Sequence, residues 1–194
     1  MKKAFIFGDS NTYGYDPREF SDERYPEEER WTTILQKQLK DSWELIPDGL
    51  NGRRIPDSDG KMMHLERMFR EYQPFDLFIC MLGTNDILQT LSPDAEEAAG
   101  KMEKFLIWLK KRNAAPDLLL IAPAPIGETG DVFYQRCHRE CLRMNQLFRE
   151  AAKRQQVRFA DAAQWDIRLA YDQVHFSPEG CKSFAARLLE LIPH

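Results

Sequence analysis

The chain lacks any apolar stretch long enough to cross a membrane: a span needs about 20 residues, and runs such as Leu77-Phe78-Ile79-Cys80-Met81-Leu82 stop far short of that. Met1-Lys2-Lys3 followed by Ala4 to Phe7 imitates the start of a secretion signal, but the apolar part is too short and no cleavage-type segment follows. Charge of one sign is also missing. The formal net charge is −4, which speaks against a nucleic-acid footprint, and pairs such as Lys110-Lys111 read as solvated helix faces. Cysteine is scarce, with four in all. Cys80 sits in an apolar run and Cys181 on the apolar stripe of a helix, so buried reduced thiols are expected, with no disulfide frame. Cys137, His138 and Cys141 do not have zinc spacing, and no metal site is expected. These absences together predict a cytoplasmic protein that engages neither membrane nor nucleic acid.

What is present is an ordinary globular composition, 43% hydrophobic and 30% charged over 194 residues. A chain of that length buries roughly 70% of its unfolded surface in one domain, and no linker, repeat or low-complexity tract divides it. A single domain over residues 1–194 is expected. Strand-like and helix-like segments alternate throughout, the pattern of an α/β fold. Strands are expected at Lys3–Gly8, Trp43–Ile46 (closed by Pro47-Asp48-Gly49), Leu77–Leu82, Leu118–Ala122 and Val157–Ala160. Helices are expected at Glu28–Lys40, Asp59–Tyr72, Pro93–Arg112 and Val132–Gln155, and a last one opens with Ser177 as cap and Pro178 behind it. The architecture this predicts is a three-layer α/β/α sandwich around a five-stranded parallel, flavodoxin-like sheet of order 2-1-3-4-5. In that order the ends of strands one and three flank the switch point where such sheets bind ligands.

The first strand, Ala4-Phe5-Ile6-Phe7, turns at Gly8 into Asp9-Ser10-Asn11-Thr12. So much polarity directly after a buried strand suits a strand end facing a ligand. A serine hydroxyl needs a base to become a nucleophile. Of four histidines, His138 lies inside a charged helix, His64 has no acid near it in sequence, and His194 ends the chain. His175 follows Asp172 by one turn, so the acid can fold back onto the imidazole and leave the other ring nitrogen for Ser10. Oxyanion donors are also required. Candidates are the Ser10 N–H, the Asn85 side chain after strand three, and a backbone N–H in Leu50-Asn51-Gly52-Arg53, where glycine admits close approach.

In these residues the chain resembles an SGNH hydrolase of the GDSL esterase and lipase superfamily, in its arylesterase-like branch. Gly8-Asp9-Ser10 matches the first block, Gly83-Thr84-Asn85-Asp86 the third and Asp172-Gln173-Val174-His175 the fourth. The resemblance implies Ser10 as nucleophile, His175 as base, Asp172 as its acid, and Ser10, Gly52 and Asn85 as the oxyanion hole. Gly52 is preferred as the second block because Asn51-Gly52-Arg53-Arg54 follows the branch's small-residue-then-arginine pattern. Gly49, three residues earlier, is the alternative donor. Asn11 stands where the family name has leucine, which bears on specificity.

Asn11, Tyr13, Tyr15, Arg53, Ile126, Phe133 and Trp165 fall in or near loops at the same end of the sheet and are expected to line a substrate pocket, or else simply to pack. Asp9 and Asp86 are expected to shape loops. The activity implied is hydrolysis of short-chain acyl or acetyl esters of small molecules through an acyl-enzyme, without cofactor. Carbohydrate O-deacetylation and thioester cleavage suit the same machinery. A binding module on this fold without turnover and, less so, a flavin protein are the readings from other classes. Related arylesterase-like enzymes are often oligomeric, so a homo-oligomer is also expected.

Overall fold

A computed structural model describes residues 1–18, 23–115 and 117–193; His194 lies outside them. In chain order the elements are β1 (Lys2–Gly8), α1 (Ser10–Tyr13), α2 (Trp31–Leu39), β2 (Trp43–Gly49), α3 (Asp59–Tyr72), β3 (Leu77–Met81), α4 (Thr84–Leu88), α5 (Ala95–Lys111), β4 (Asp117–Ala122), α6 (Val132–Gln155), β5 (Arg158–Asp161) and α7 (Pro178–Leu189). The five strands form one parallel sheet of order β2-β1-β3-β4-β5, the topology expected from the sequence. Among the described residues no helix is long and apolar enough to cross a membrane.

β3 is apolar at every position, and β1 and β4 are apolar past their first residues, because both faces of these central strands are covered, and successive side chains go to opposite sides. Phe5 and Phe7 of β1, Phe78 and Cys80 of β3, and Leu120 of β4 join a cluster with Leu65, Phe69, Met102, Phe105, Met144 and Phe148 from α3, α5 and α6. Ala4, Ile6, Ile79, Leu119 and Ile121 point the other way, to Trp31 and Leu35 of α2 and Phe184 and Leu188 of α7. The long helices α2 and α7 therefore cover one face, and α3, α5 and α6 the other, where Ile87 of α4 joins them.

Several boundaries differ from the sequence reading, most of them by one residue and three of them by two or more. β2 continues through Pro47-Asp48-Gly49 in register with Ile6-Phe7-Gly8. It is the edge strand, where the N–H that proline lacks has no partner strand to miss. Residues Glu27–Glu29 form a single 3-10 turn and α2 starts at Trp31. α5 starts at Ala95 because Asp94 caps it, accepting from the Glu97 N–H at 3.0 Å. Two short helices, α1 and α4, were not anticipated, and they follow directly on β1 and β3, the strands that flank the switch point.

Candidate active site

Ser10 is the first residue of α1, at the carboxyl end of β1. Asp9 caps this short helix, its Oδ1 accepting from the Asn11 N–H at 3.0 Å. Burial pushes the Asp9 carboxyl up to about 6, against the lowering effects of that backbone bond and of the nearby His175 and Arg53. Opposite stands a tight loop before α7. In it the Ala170 N–H donates to His175 O at 2.7 Å and the Ser177 N–H to Arg168 O at 3.0 Å. Asp172 Oδ1 accepts from the N–H groups of Val174 and His175, each at 3.1 Å, and its Oδ2 lies 2.5 Å from His175 Nδ1. Burial alone would raise the Asp172 carboxyl, but the His175 side-chain bond, the two N–H donors and the His175 charge together lower it. A carboxylate on Nδ1 fixes the proton there and leaves Nε2 as an acceptor. Ser10 Oγ lies 2.9 Å from that nitrogen. A hydroxyl on an imidazole that is held in turn by a carboxylate is the arrangement that activates serine.

Asn11 ties the two loops together. Its Oδ1 accepts from the Phe176 N–H at 2.8 Å and its Nδ2 donates to Val174 O at 3.4 Å, so one side chain grips the backbone on both sides of His175. The Trp31 indole N–H donates to Asn11 O at 2.8 Å and the Tyr25 hydroxyl to Phe176 O at 3.1 Å, anchoring both loops to the core. The tilted Tyr15 ring lies 4.6 Å from the His175 ring, centroid to centroid.

The third wall is the turn after β2. It closes with the Arg53 N–H donating to Leu50 O at 3.1 Å. Gly52 sits within it at φ +70°, a conformation that disfavours residues with a Cβ. Gly49 is a strand residue packed against α1, where a Cβ would fall 2.1 Å from the Tyr13 nitrogen. Of the two glycines, Gly52 lines the cavity beside Ser10. Asn85, in α4 at the end of β3, donates from Nδ2 to Arg53 O at 3.1 Å and accepts at Oδ1 from Gln89 Nε2 at 3.0 Å. Its neighbour Asp86 accepts from the Ile55 N–H at 2.9 Å. Burial raises the Asp86 carboxyl in spite of that bond and of Arg54 and Lys101 nearby.

The cavity these groups share, about 340 Å³, is lined by Ser10, Gly52, Asn85, Asp172 and His175 together with Tyr15, Asn51, Leu88, Tyr134 and Val174. Of the residues expected at the rim, Tyr15 is there. Asn11, Tyr13, Arg53, Ile126 and Trp165 do not line it. Asn11 is occupied with the His175 loop. Tyr13 lies under Arg24, whose guanidinium is 4.6 Å from the ring. The Arg53 guanidinium pairs with Asp48 at 2.9 Å, donates to Gly8 O at 2.9 Å and stacks on Phe7. Ile126 is fully buried in the core on the α3, α5 and α6 side, and Phe133 packs against that core. Trp165 packs on Phe184 beneath the other face of the sheet. A larger cavity of about 440 Å³ on the far side of the Gly52 turn includes Arg53, Arg54, Lys61 and His64 but neither Ser10 nor His175.

His64 and His138 are held elsewhere, the first against Asp48 at 2.8 Å and the second against Ile126 O at 2.5 Å. Leu88, Asn51 and Tyr134 also line the cavity; Asn51 belongs to the Leu50-Asn51-Gly52-Arg53 stretch read as a donor loop but was not read as lining, and nothing in the sequence marks Tyr134. For Leu88 the adjoining Asn85 was the available signal, being one helical turn away.

Residues 6–182 match the sequence model of the GDSL-like Lipase/Acylhydrolase family. The chain belongs to that family. This GDSL-family chain is an SGNH-type esterase by its membership, and its fold agrees with solved esterases along nearly its whole length. A protein of Agrobacterium tumefaciens assigned as an arylesterase is 30% identical, with 98% of each chain covered and a TM-score of 0.84. A carbohydrate acetylesterase family member from Sinorhizobium meliloti is 26% identical over 98% of this chain and 97% of its own, with a TM-score of 0.83. The aryl esterase of M. smegmatis, 24% identical over 98% of each chain with a TM-score of 0.84, shares the fold. No curated protein matches the GDSL-family chain in sequence.

Proposed function

We propose that the chain hydrolyses short-chain acyl esters through an acyl-enzyme on Ser10. The observation that carries this reading is the unbroken relay from Ser10 Oγ to His175 Nε2 at 2.9 Å and from His175 Nδ1 to Asp172 at 2.5 Å. Ser10 Oγ attacks the ester carbonyl while His175 takes its proton, and Asp172 stabilises the imidazolium. The Ser10 and Gly52 N–H groups and Asn85 Nδ2 hold the charge that develops on the carbonyl oxygen. Collapse expels the alcohol with the proton from His175. Water, deprotonated by the same nitrogen, then attacks the acyl carbon and releases the acid, restoring the Ser10 hydroxyl.

A cavity of about 340 Å³ is at the small end of ligand sites, which run from about 300 to 1,000 Å³, and this favours acetyl and other short acyl groups. Its rim of Tyr15, Asn51 and Tyr134 offers rings and an amide to a polar alcohol, so acetylated carbohydrates are the second substrate class to try. Turnover of p-nitrophenyl acetate and labelling by a fluorophosphonate test the reading. Ser10→Ala and His175→Ala are expected to lose about a thousandfold or more in kcat while staying folded, and Asn85→Ala about a hundredfold. A Ser10→Ala protein that turns over at the wild-type rate ends the proposal, and a wild-type protein with neither turnover nor label is a binding module.

A further inference from the structure

Gln89 follows α4, one helical turn beyond Asn85, and is exposed. Its Nε2 lies 3.0 Å from Asn85 Oδ1 and 3.2 Å from Gly52 O. An amide nitrogen carries two hydrogens, so this one group can serve both acceptors at once. Each bond has a consequence. Asn85 Oδ1 is engaged by Gln89, which fixes the sense of the Asn85 amide: one Nδ2 hydrogen goes to Arg53 O at 3.1 Å, and the second Nδ2 hydrogen remains for a ligand in the cavity that Asn85 lines. On the turn, two consecutive carbonyls, Gly52 O and Arg53 O, are each held by an amide from the α4 segment. The packing there is close, since a Cβ on Gly52 would lie 3.1 Å from Gln89 Nε2 and meet nothing else within 4 Å.

We propose that Gln89 is a positioning residue that clasps the Gly52 turn to Asn85 and holds these two oxyanion donors in register with each other. This rests on the reading of Gly52 and Asn85 as donors. The Gln89 amide bonds to Asn85 and to Gly52, so its contribution lies in the geometry of the donors and belongs to kcat. It also polarises the Asn85 amide, because an N–H donated to a carbonyl oxygen strengthens the donation of that amide's own N–H.

The test uses the full chain. Gln89→Met keeps the length and removes both bonds. With p-nitrophenyl acetate it is expected to lower kcat about tenfold, less than deletion of a donor outright, with KM within about twofold and the melting temperature unchanged, as for most exposed positions. In an Asn85→Ala background the same substitution is expected to cost under about threefold, because one of its two partners is gone. Gln89→Glu cannot donate to either carbonyl oxygen and is expected to lose more than Gln89→Met. A Gln89→Met loss that is absent, confined to KM, or of equal size in both backgrounds overturns the clasp. Ser10→Ala separates the two readings: retained turnover there removes the nucleophile whatever Gln89 does, whereas an inactive Ser10→Ala beside a fully active Gln89→Met removes the clasp alone.

Discussion

Asp9 is a carboxyl group 2% exposed to solvent, held beside Ser10 because its oxygen caps the helix that begins there. Burial raises it to about 6, above its value in an unfolded chain of about 4. A carboxyl raised by folding binds its proton more tightly in the native state, so its contribution to stability is complete below about pH 4 and is lost as the pH rises through about 6. Asp172 works in the opposite sense, its carboxyl being lowered, so a bare pH profile mixes the two. Comparison with Asp9→Asn isolates the first, since the asparagine oxygen can still cap. The variant is expected to gain on the wild type between pH 4 and 7 by on the order of 3 kcal/mol, at 1.36 kcal/mol per unit of displacement. Urea titrations of both proteins at several pH values read the difference directly. A gap that stays constant across that range rules out a raised Asp9. The same residue illustrates how far single positions were legible. The polarity after β1 flagged Ser10, but the double grip of Asn11 on the backbone around His175 joins positions 163 and 165 residues apart, and no local pattern announces such a pairing.

The elements that carry the site are the shortest ones. α1 spans four residues and α4 five, too few to show the 3.6-residue period by which α5, α6 and α7 could be read. Long apolar runs revealed β1, β3 and β4, whereas β2 was cut short in the reading because Pro47 looked like a stop. The extension of β2 matters for function, since it brings Gly49 under α1 and delivers the Gly52 turn to the cavity. The two glycines are therefore expected to fail differently. Gly49→Ala drives a Cβ to 2.1 Å from a backbone nitrogen of α1, and its first effect is a drop in melting temperature, from overpacking worth about 1 to 3 kcal/mol. Gly52→Ala meets a single flexible side chain and bears a left-handed conformation costing about 1 to 2 kcal/mol. It is expected to keep a cooperative melt yet lose kcat, because the N–H proposed as an oxyanion donor shifts with the turn. Full activity in Gly52→Ala beside an unaltered melt in Gly49→Ala contradicts both assignments.

At the scale of the whole molecule, the sheet is shared property. β1, β3 and β4 each send alternate side chains into both apolar clusters, so neither face can come apart without stripping cover from strands that the other face needs. The expectation of one domain over the whole chain becomes, in these terms, a statement about cooperativity, and the cysteines can report on it. Cys80, Cys137 and Cys141 lie in the cluster under α3, α5 and α6, and Cys181 in the cluster under α2 and α7. All four are free and buried. Burial pushes every one of these thiols up, to about 12 for Cys141 and Cys181, so the native protein holds them inaccessible and short of thiolate. A thiol reagent added at increasing urea, followed by mapping of the labelled sites, is expected to modify Cys181 and the other three at one common midpoint. Cys181 labelled well before Cys80 would mean that the α2 and α7 face opens as a unit of its own, with His175 leaving Ser10 while the rest of the sheet still stands. The strands common to both clusters argue for the single midpoint, because loosening α7 exposes Ile6, Ile79 and Ile121 on the three strands that bear Phe7, Cys80 and Leu120 on their other side.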